Sequence, residues 1–229
     1  MLSRGIFSVV AITAMSASLV TYWIAFPTEA DLELVPPLRA WMSSDSSRSD
    51  GHYASDLVSL TTGFRSQVYR SFCGPASVAT VLRAYGVREV NQAAMFPSLG
   101  AKLKAFYTGM SLADLAGLAE AAGLRSEVVY ADRLSLDTFR ERLKGNLSSE
   151  GDFVLINYDR RVLKQSGAGH ISPVGAYDEA QDAFLVLDEA AYKYPFTWVP
   201  TQLLYDAVHT RDGDRFRGVL LIRAYGSSG

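Results

Sequence analysis

The sequence has little of what most metal and redox sites need, with one cysteine, Cys73, and three histidines among its 229 residues. A single cysteine excludes an intramolecular disulfide and any zinc or iron–sulfur site built from cysteine clusters. Acidic and basic residues nearly balance, with a formal charge of -2, so the basic stripe that binds nucleic acid is missing. No repeat of fixed period is present, which excludes solenoids and propellers. The sequence predicts neither a nucleic-acid partner nor a protein-bound metal.

The clearest change of composition lies at the N-terminus. Gly5 to Phe26 carry no charge and directly follow Arg4. A helix that spans a bilayer takes about 20 apolar residues, so residues 1–30 are expected to form a membrane anchor. The small residues at 16–18 keep a cleaved signal peptide as the alternative. Either interpretation predicts a protein that is periplasmic, membrane-anchored or secreted.

A polar segment separates this N-terminus from the rest of the chain. Residues 43–51 are rich in serine, aspartate and glycine, with too little apolar surface to offset the entropy of ordering them. We therefore expect a linker over residues 31–59. Residues 60–225 have the size of one ordinary domain.

Three helices are predicted in the first part of this domain. Apolar residues recur at helical spacing from Cys73 to Tyr85, and Gly86 follows as the residue that ends the helix. The segments 111–122 and 135–143 each begin with a capping serine and carry an aspartate in the first turn. Helices are expected to dominate this half of the domain.

The second part of the domain changes period. Short apolar runs rich in branched and aromatic residues predict strands over residues 153–158, 170–177, 183–187 and 218–223. The turn at 178–182 is short enough for a hairpin, which makes the two strands beside it antiparallel. Helices followed by an antiparallel sheet predict the α+β class.

Cys73 is the candidate nucleophile. The predicted helix places it at a helix N-terminus, where unpaired N–H groups and the helix dipole favour the thiolate and lower the thiol pKa. Gly74 has no side chain to obstruct a substrate, and Pro75 fits the first turn. The alternative is an inert thiol that packs at the start of a helix.

A cysteine nucleophile needs a base, and the base needs a group that orients it. His170 opens a strand after a glycine-rich segment, whereas His52 and His209 lie in polar segments and are interpreted as solvated. Asp188 ends the next strand, so a hairpin would bring His170 and Asp188 to the same end of the sheet. The alternative is a strand-end histidine and an aspartate in a turn.

Several segments together resemble one enzyme family. In chain order they are Gln67, Cys73-Gly74 with Ala76-Ser77, Lys164 to Gly167, Gly169 to Pro173, Asp188, Lys193 to Pro195 and Trp198 to Pro200. Residues 60–223 are similar to the catalytic domain of phytochelatin synthase, in its short prokaryotic form. The resemblance implies a papain-like fold, in which a helical subdomain that carries the nucleophile packs on an antiparallel β-sheet.

The resemblance also implies a reaction. Cys73, His170 and Asp188 would form a catalytic triad, and Gln67 would donate a hydrogen bond to the oxyanion together with the backbone of Cys73. Members of the family cleave glutathione at its Cys–Gly bond. They hold the γ-glutamylcysteinyl group on the cysteine and pass it to water or to a second glutathione.

Substrate-binding residues follow from the same resemblance. Arg160 and Arg217 would clamp the γ-glutamyl carboxylate of glutathione or of a related γ-glutamyl thiol peptide. Gly169 and Ser172 would contact the substrate beside His170. Acylation would require no cofactor, and cadmium or zinc would enter as a metal–thiolate of the substrate. The oligomeric state is not determined by the sequence, and a homodimer stays open.

Two departures from the family bear on the reaction. Val68 to Phe72 replaces a stretch that carries glutamate and proline in plant members, and Ala191 stands where many members have an arginine. Without that arginine the acceptor site lacks a cation that would orient a second thiol peptide. Hydrolysis is therefore predicted to exceed peptide extension.

Two other functions stay open. A papain-like peptidase that trims bacteriocin leader peptides shares the Gln, Cys, His, Asp order and would cut after double glycine. A non-catalytic protein that binds a metal or a partner through Cys73 is the alternative from a different class.

Overall fold

The structure is a computed structural model that describes residues 51–224. The predicted anchor or signal peptide, residues 1–30, lies outside the described residues, as do residues 31–50 of the predicted linker. Within the described part of the chain, no helix is both long and apolar enough to cross a bilayer.

Six α-helices occur within residues 51–224, and serine side chains begin three of them. Ser98, Ser111 and Ser135 each accept a hydrogen bond from a backbone N–H of the first helical turn. Ser111 and Asp114 complete a reciprocal capping box. The helices are α1 (Leu57–Gly63), α2 (Cys73–Ala84), α3 (Leu99–Thr108), α4 (Leu112–Ala121), α5 (Leu136–Leu147) and α6 (Thr201–Val208).

Antiparallel pairing organises the strands of the described chain. They are β1 (Leu124–Tyr130), β2 (Asp152–Asp159), β3 (Gly169–Asp178), β4 (Ala183–Val186), β5 (Thr197–Pro200), β6 (Arg211–Asp212), β7 (Arg215–Phe216) and β8 (Gly218–Ala224). Six of them form one sheet in the order β1-β8-β2-β3-β4-β5, and β6 pairs with β7. Each neighbouring pair is antiparallel. The α+β class predicted from the sequence is confirmed.

Helices cover both faces of the six-stranded sheet. Along β2, Phe153 and Leu155 point to a core shared with α1, α2 and α4. Val154, Ile156 and Tyr158 alternate with them and point to a second core shared with α5 and α6. The strand at the centre of the sheet is therefore buried on both sides, and the helix that begins at the cysteine covers one side only.

Most predicted elements are confirmed, and the missed ones have a physical reason. The three predicted helices correspond to α2, α4 and α5, and the four predicted strands to β2, β3, β4 and β8. The segment β1 has a weak signal, because it lies at the sheet edge and exposes Arg125 and Glu127. The sequence signals do not indicate the short elements α1, α3, α6, β5, β6 and β7 either.

The folded part begins ahead of residue 60, inside the segment expected to be a linker. Tyr53 O accepts the Tyr177 N–H at 3.0 Å, and the Ser55 N–H donates to Leu147 O at 3.1 Å. The Asp56 carboxylate accepts the Gly151 N–H at 3.0 Å. Contacts with residues more than 90 positions away cannot be read from local composition, and they add residues 53–59 to the domain.

A bulge in β3 decides which face Asp188 occupies. At Gly175 the register between β3 and β4 shifts, so that Val174 pairs with Val186. One extra residue in one strand turns every later side chain to the other face. Continued past Val186, the shifted register brings Asp188 to the face of β3 that carries His170, whereas the unshifted register would turn it away.

Candidate active site

Cys73 is the first residue of α2, and no side chain caps this helix. The backbone N–H groups of Ile171 and Gly74 reach its thiol. Ser77 joins the helix to β3, because its hydroxyl donates to Cys73 O at 2.8 Å and lies 3.3 Å from Ile171 O. The nucleophile thus sits where the helix N-terminus meets the residue that follows His170.

Packing, rather than substrate access, explains Gly74. A Cβ at this position would lie 3.0 Å from Met110 Sδ and 3.2 Å from Leu115 Cδ1. The absence of a side chain lets α4 and the segment before it approach the start of α2. Met110 and Leu115, rather than a substrate, therefore lie where a side chain at position 74 would be.

The prediction that the helix N-terminus lowers the thiol pKa is wrong for the free protein. Cys73 is 7 % exposed, and its burial raises the pKa of the thiol to about 11. The Ile171 N–H and the charge of Arg160 oppose this effect only in part. Loss of hydration therefore outweighs the helix terminus, and Cys73 is a neutral thiol near pH 7.

His170 is the second residue of β3 and lies opposite Tyr158 of β2. Its Nε2 lies 3.1 Å from Asp188 Oδ1, and both side chains are buried. Because Nε2 faces the carboxylate, Nδ1 is the ring nitrogen that points away from Asp188. The structure thus joins the two residues that the sequence analysis placed at one end of the sheet.

Asp188 has further donors that the sequence did not indicate. Arg160 Nη2 donates to Oδ1 at 2.6 Å, and the Ala190 N–H donates to the same oxygen at 2.8 Å. The Tyr158 hydroxyl donates to Oδ2 at 3.2 Å. Burial alone would raise the pKa of Asp188, but the charge of Arg160 and the contact with His170 hold it well below its usual range.

His170 is uncharged in this environment. Burial and, second to it, the charge of Arg160 lower the pKa of His170 to about 4, against the opposing effect of Asp188. The free site accordingly pairs a neutral thiol with a neutral imidazole.

Gln67 lies buried beside the loop that follows Asp188. Its Nε2 donates to Arg70 O at 2.7 Å and to the Tyr192 hydroxyl at 3.1 Å, so both amide hydrogens are in use. Its Oε1 is buried without a hydrogen-bond partner among the described residues. To serve the oxyanion, Gln67 would have to exchange the longer bond, to Tyr192, for one to the substrate.

Arg160 does not have the geometry of the substrate clamp that the resemblance implied. Its side chain is 4 % exposed, and its two terminal nitrogens bond to protein: Nη2 to Asp188, and Nη1 to Gln165 Oε1 at 2.8 Å. The adjacent Arg161 is the exposed member of the pair and bonds to Asp159. Sequence alone could not separate the two arginines, because their burial depends on the turn after β2.

Arg217 lies against Gly169, the residue that precedes His170. Its guanidinium crosses Gly169, where a Cβ would be 2.5 Å from Nη1, so a side chain at this position would displace the guanidinium. Nη1 donates to Asn157 Oδ1 at 2.7 Å and lies 3.4 Å from Asp212 Oδ2. Its Nε is buried without a hydrogen-bond partner within residues 51–224, which leaves one donor for a ligand.

Ser172 is fully buried and cannot touch a substrate in this structure. Its hydroxyl lies 3.4 Å from the Glu189 N–H and also bonds to Tyr158. It therefore supports the residues behind the triad. Ser172 shares the face of β3 that carries His170 but lies deeper in the sheet.

Glu189 is a buried residue of the site that the sequence analysis missed. The Thr80 hydroxyl donates to Oε1 at 3.0 Å, and Oε2 has no hydrogen-bond partner among the described residues. Burial, opposed by the Thr80 bond, raises the pKa of Glu189 well above its usual range. Its backbone O accepts the Gln67 N–H at 2.8 Å, so Glu189 links the triad loop to the candidate oxyanion donor.

Comparison with known proteins decides the family. The family model for phytochelatin synthase matches residues 44–219. The chain belongs to the phytochelatin synthase family. It is 32% identical over 177 residues to glutathione gamma-glutamylcysteinyltransferase 1 of Triticum aestivum and 32% identical over 174 residues to glutathione gamma-glutamylcysteinyltransferase 2 of Arabidopsis thaliana. A relative from Schizosaccharomyces pombe, glutathione gamma-glutamylcysteinyltransferase, is 36% identical over 104 residues.

The matches to the two plant proteins span most of this chain, and all three matches cover a minor part of the relatives. It covers 72% of this chain and 35% of the wheat protein, 71% and 38% for the Arabidopsis protein, and 45% and 25% for the fission yeast protein. Family membership therefore concerns the domain that carries Cys73, His170 and Asp188. Within residues 51–224, no cluster of three or more His, Cys, Asp or Glu side chains could hold a metal ion.

Ala191, the departure from the phytochelatin synthase pattern, lies exposed on the loop that follows the triad aspartate. The preceding Ala190 is the residue whose N–H bonds to Asp188. Lys193, a few positions on, is the nearest cation along this loop, with Nζ 5.7 Å from the centre of the Tyr194 ring. Position 191 thus opens to solvent close to the triad.

Proposed function

We propose that this chain is a thiol acyltransferase and hydrolase that cleaves the Cys–Gly bond of glutathione or of a related γ-glutamyl thiol peptide. The observation that carries the proposal is the His170–Asp188 pair, 3.1 Å apart, in which His170 lies on the strand whose next residue, Ile171, donates its backbone N–H to the thiol of Cys73. Curated relatives named as glutathione gamma-glutamylcysteinyltransferases support the choice of substrate.

The residues supply each step of an acyl transfer. His170 Nδ1 takes the thiol proton while the sulfur of Cys73 attacks the cysteinyl carbonyl carbon of the substrate. The imidazolium, stabilised by Asp188, returns the proton to the glycine nitrogen as the C–N bond breaks and a thioester remains. Water or the amine of a second thiol peptide then attacks the thioester, again with His170 as the base.

Three groups of the chain could orient the substrate in this proposal. The unpartnered Nε of Arg217 supports its role as the clamp for the γ-glutamyl carboxylate. The backbone N–H of Cys73 and the Nε2 of Gln67 are the donors available for the oxyanion, once Gln67 releases Tyr192.

Hydrolysis is the main outcome in this proposal. Water and a second thiol peptide compete for the same acyl group on Cys73, and orientation of the acceptor can contribute several orders of magnitude in effective concentration. Ala191 is exposed and uncharged where a cation would orient an anionic acceptor. We therefore expect mainly γ-glutamylcysteine and glycine, with extended peptides as minor products.

The test is to incubate the purified full-length chain with millimolar glutathione, with and without cadmium or zinc, and to identify the products by mass. Ala191→Arg should raise the ratio of extended peptides to γ-glutamylcysteine. Val58→Arg adds the same charge on α1, where Val58 is 77% exposed, and should leave the ratio unchanged. Extended peptides in excess from the wild type would refute the preference for water, and cleavage of a double-glycine leader peptide instead of glutathione would refute the substrate.

A further inference from the structure

Arg160 and Asp188 form a buried ion pair at the rear of the candidate site. Nη2 lies 2.6 Å from Oδ1, with the two side chains 4% and 2% exposed. The same carboxylate oxygen faces His170 Nε2 at 3.1 Å. Asp188 Oδ1 therefore contacts both His170 and the permanently charged Arg160. Orientation of the imidazole requires only the contact with His170.

The turn after β2 is built around this arginine. The Arg160 N–H donates to Ala168 O at 3.0 Å, and the Gln165 N–H donates to Arg160 O at 3.0 Å. The Tyr194 ring lies 4.7 Å from the guanidinium carbon, and the Tyr194 hydroxyl accepts the Ser166 N–H at 2.7 Å. Backbone, amide and aromatic contacts together hold the guanidinium against Asp188.

The charge of Arg160 acts on His170 through this contact. An aspartate beside a histidine stabilises the imidazolium, and a cation on that aspartate offsets the stabilisation. The charged and titratable groups around His170 are Asp188, Arg160, Lys193 and the hydroxyl of Tyr158, whose ring centre lies 5.7 Å away. Besides burial, Arg160 and Lys193 thus disfavour the protonated form of His170, and Asp188 favours it.

We propose that Arg160 is a positioning residue, which holds Asp188 in the orientation that contacts His170 and makes protonation of His170 less favourable in the free enzyme. This inference rests on the proposed triad of Cys73, His170 and Asp188. It reassigns Arg160 from the substrate to the catalytic machinery behind it.

Titration of His170 by NMR tests the inference without any turnover. The full-length chain with Cys73→Ala serves as the parent, so that no thiol couples to the imidazole, and a His170→Ala sample assigns the signal among the three histidines. Arg160→Met removes the charge and keeps an apolar stem. It should raise the pKa of His170 by at least about one pH unit, the effect of removing a charge at this distance.

Arg161→Met is the matched control, because Arg161 is the exposed neighbour that bonds to Asp159. It should leave the pKa of His170 unchanged. An unchanged pKa of His170 in Arg160→Met would overturn the inference. If the titration shifts as expected while the wild type leaves glutathione intact, the inference stands and the proposed substrate fails.

Steady-state kinetics of Arg160→Lys, with Cys73 intact, provide a second and independent test. This test also applies if Arg160→Met does not fold. Lysine keeps the charge but cannot hold Asp188 and Gln165 with two nitrogens at once. We expect kcat to fall at least about tenfold with little change in KM, because a positioning defect acts on the chemical step. A raised KM with unchanged kcat would return Arg160 to the role of a substrate clamp.

Discussion

Glu189 shows how one buried carboxyl group couples stability to pH. Its folded-state pKa is raised above the unfolded value of about 4.3, so its contribution to stability is complete below that pH. The contribution is lost as the pH rises through the folded-state pKa, because the unfolded chain releases a proton that the folded chain retains. Neutral to alkaline conditions should therefore weaken the fold through this residue.

Replacement of this carboxyl group with an amide removes the dependence. Glu189→Gln should match the wild type in free energy of unfolding near pH 4 and exceed it at pH 8 by at least about 1 kcal/mol. Denaturant unfolding at both pH values measures the difference. Glu120→Gln alters an exposed glutamate on α4 and should show no such dependence. An equal effect of both variants would mean that Glu189 is ionised in the folded protein.

Substitutions of Cys73, His170 and Asp188 should differ in their effects on turnover and on stability. Cys73→Ala removes the nucleophile with little volume and should abolish turnover of glutathione in a folded chain, and His170→Ala should do nearly the same. Asp188→Asn should leave measurable turnover but lower the free energy of unfolding by about 3 kcal/mol, because Arg160 loses its buried counter-ion. Steady-state kinetics and denaturant unfolding provide both readouts. Wild-type turnover by Cys73→Ala would remove the triad from the reaction.

At the scale of elements, Gly218 begins β8, the strand that pairs with the edge strand β1 on one side and with β2 on the other. A Cβ on Gly218 would lie 2.2 Å from Val129 O and 2.9 Å from Tyr130 Cα, so the backbone of β1 would have to move. Gly218→Ala should therefore lower the free energy of unfolding by about 2 to 4 kcal/mol, as measured by denaturant titration.

Gly145 provides the matched control for this substitution. It lies exposed in α5 with nothing within 4 Å of an added Cβ. Gly145→Ala should stabilise the protein by about 0.5 to 1 kcal/mol, because alanine favours the helix. A Gly218→Ala variant as stable as the wild type would show that β1 and β8 can separate without cost.

At the scale of the whole molecule, we propose that the domain lies outside the cytoplasm. The uncharged segment Gly5 to Phe26 follows Arg4, and a positive start favours retention of the N-terminus inside. A reporter that is active only after export, fused behind Gly229, should work in the full chain and fail once residues 1–30 are deleted. Activity of a cytoplasm-dependent reporter at the same position would contradict this location.

Local patterns determined much of this protein. Helical spacing from Cys73 and the capping serine of α4 predicted elements that the structure confirms, and the short turn at 178–182 predicted the antiparallel pair β3–β4. These signals are local, because hydrogen bonds within a helix or across a hairpin join residues that are close in the sequence. The same signals placed Cys73, His170 and Asp188 at element ends, where side chains can meet.

The tertiary structure alone decided how those residues are tuned. The bulge at Gly175 set the face of Asp188, and the turn after β2 buried Arg160 rather than Arg161. Hydration lost on burial raised the pKa values of Cys73 and Glu189. The face of Asp188 and the burial of Arg160 depend on contacts between segments far apart in the chain, and the pKa values depend on the removal of water. The spacing of neighbouring residues encodes neither these contacts nor the removal of water.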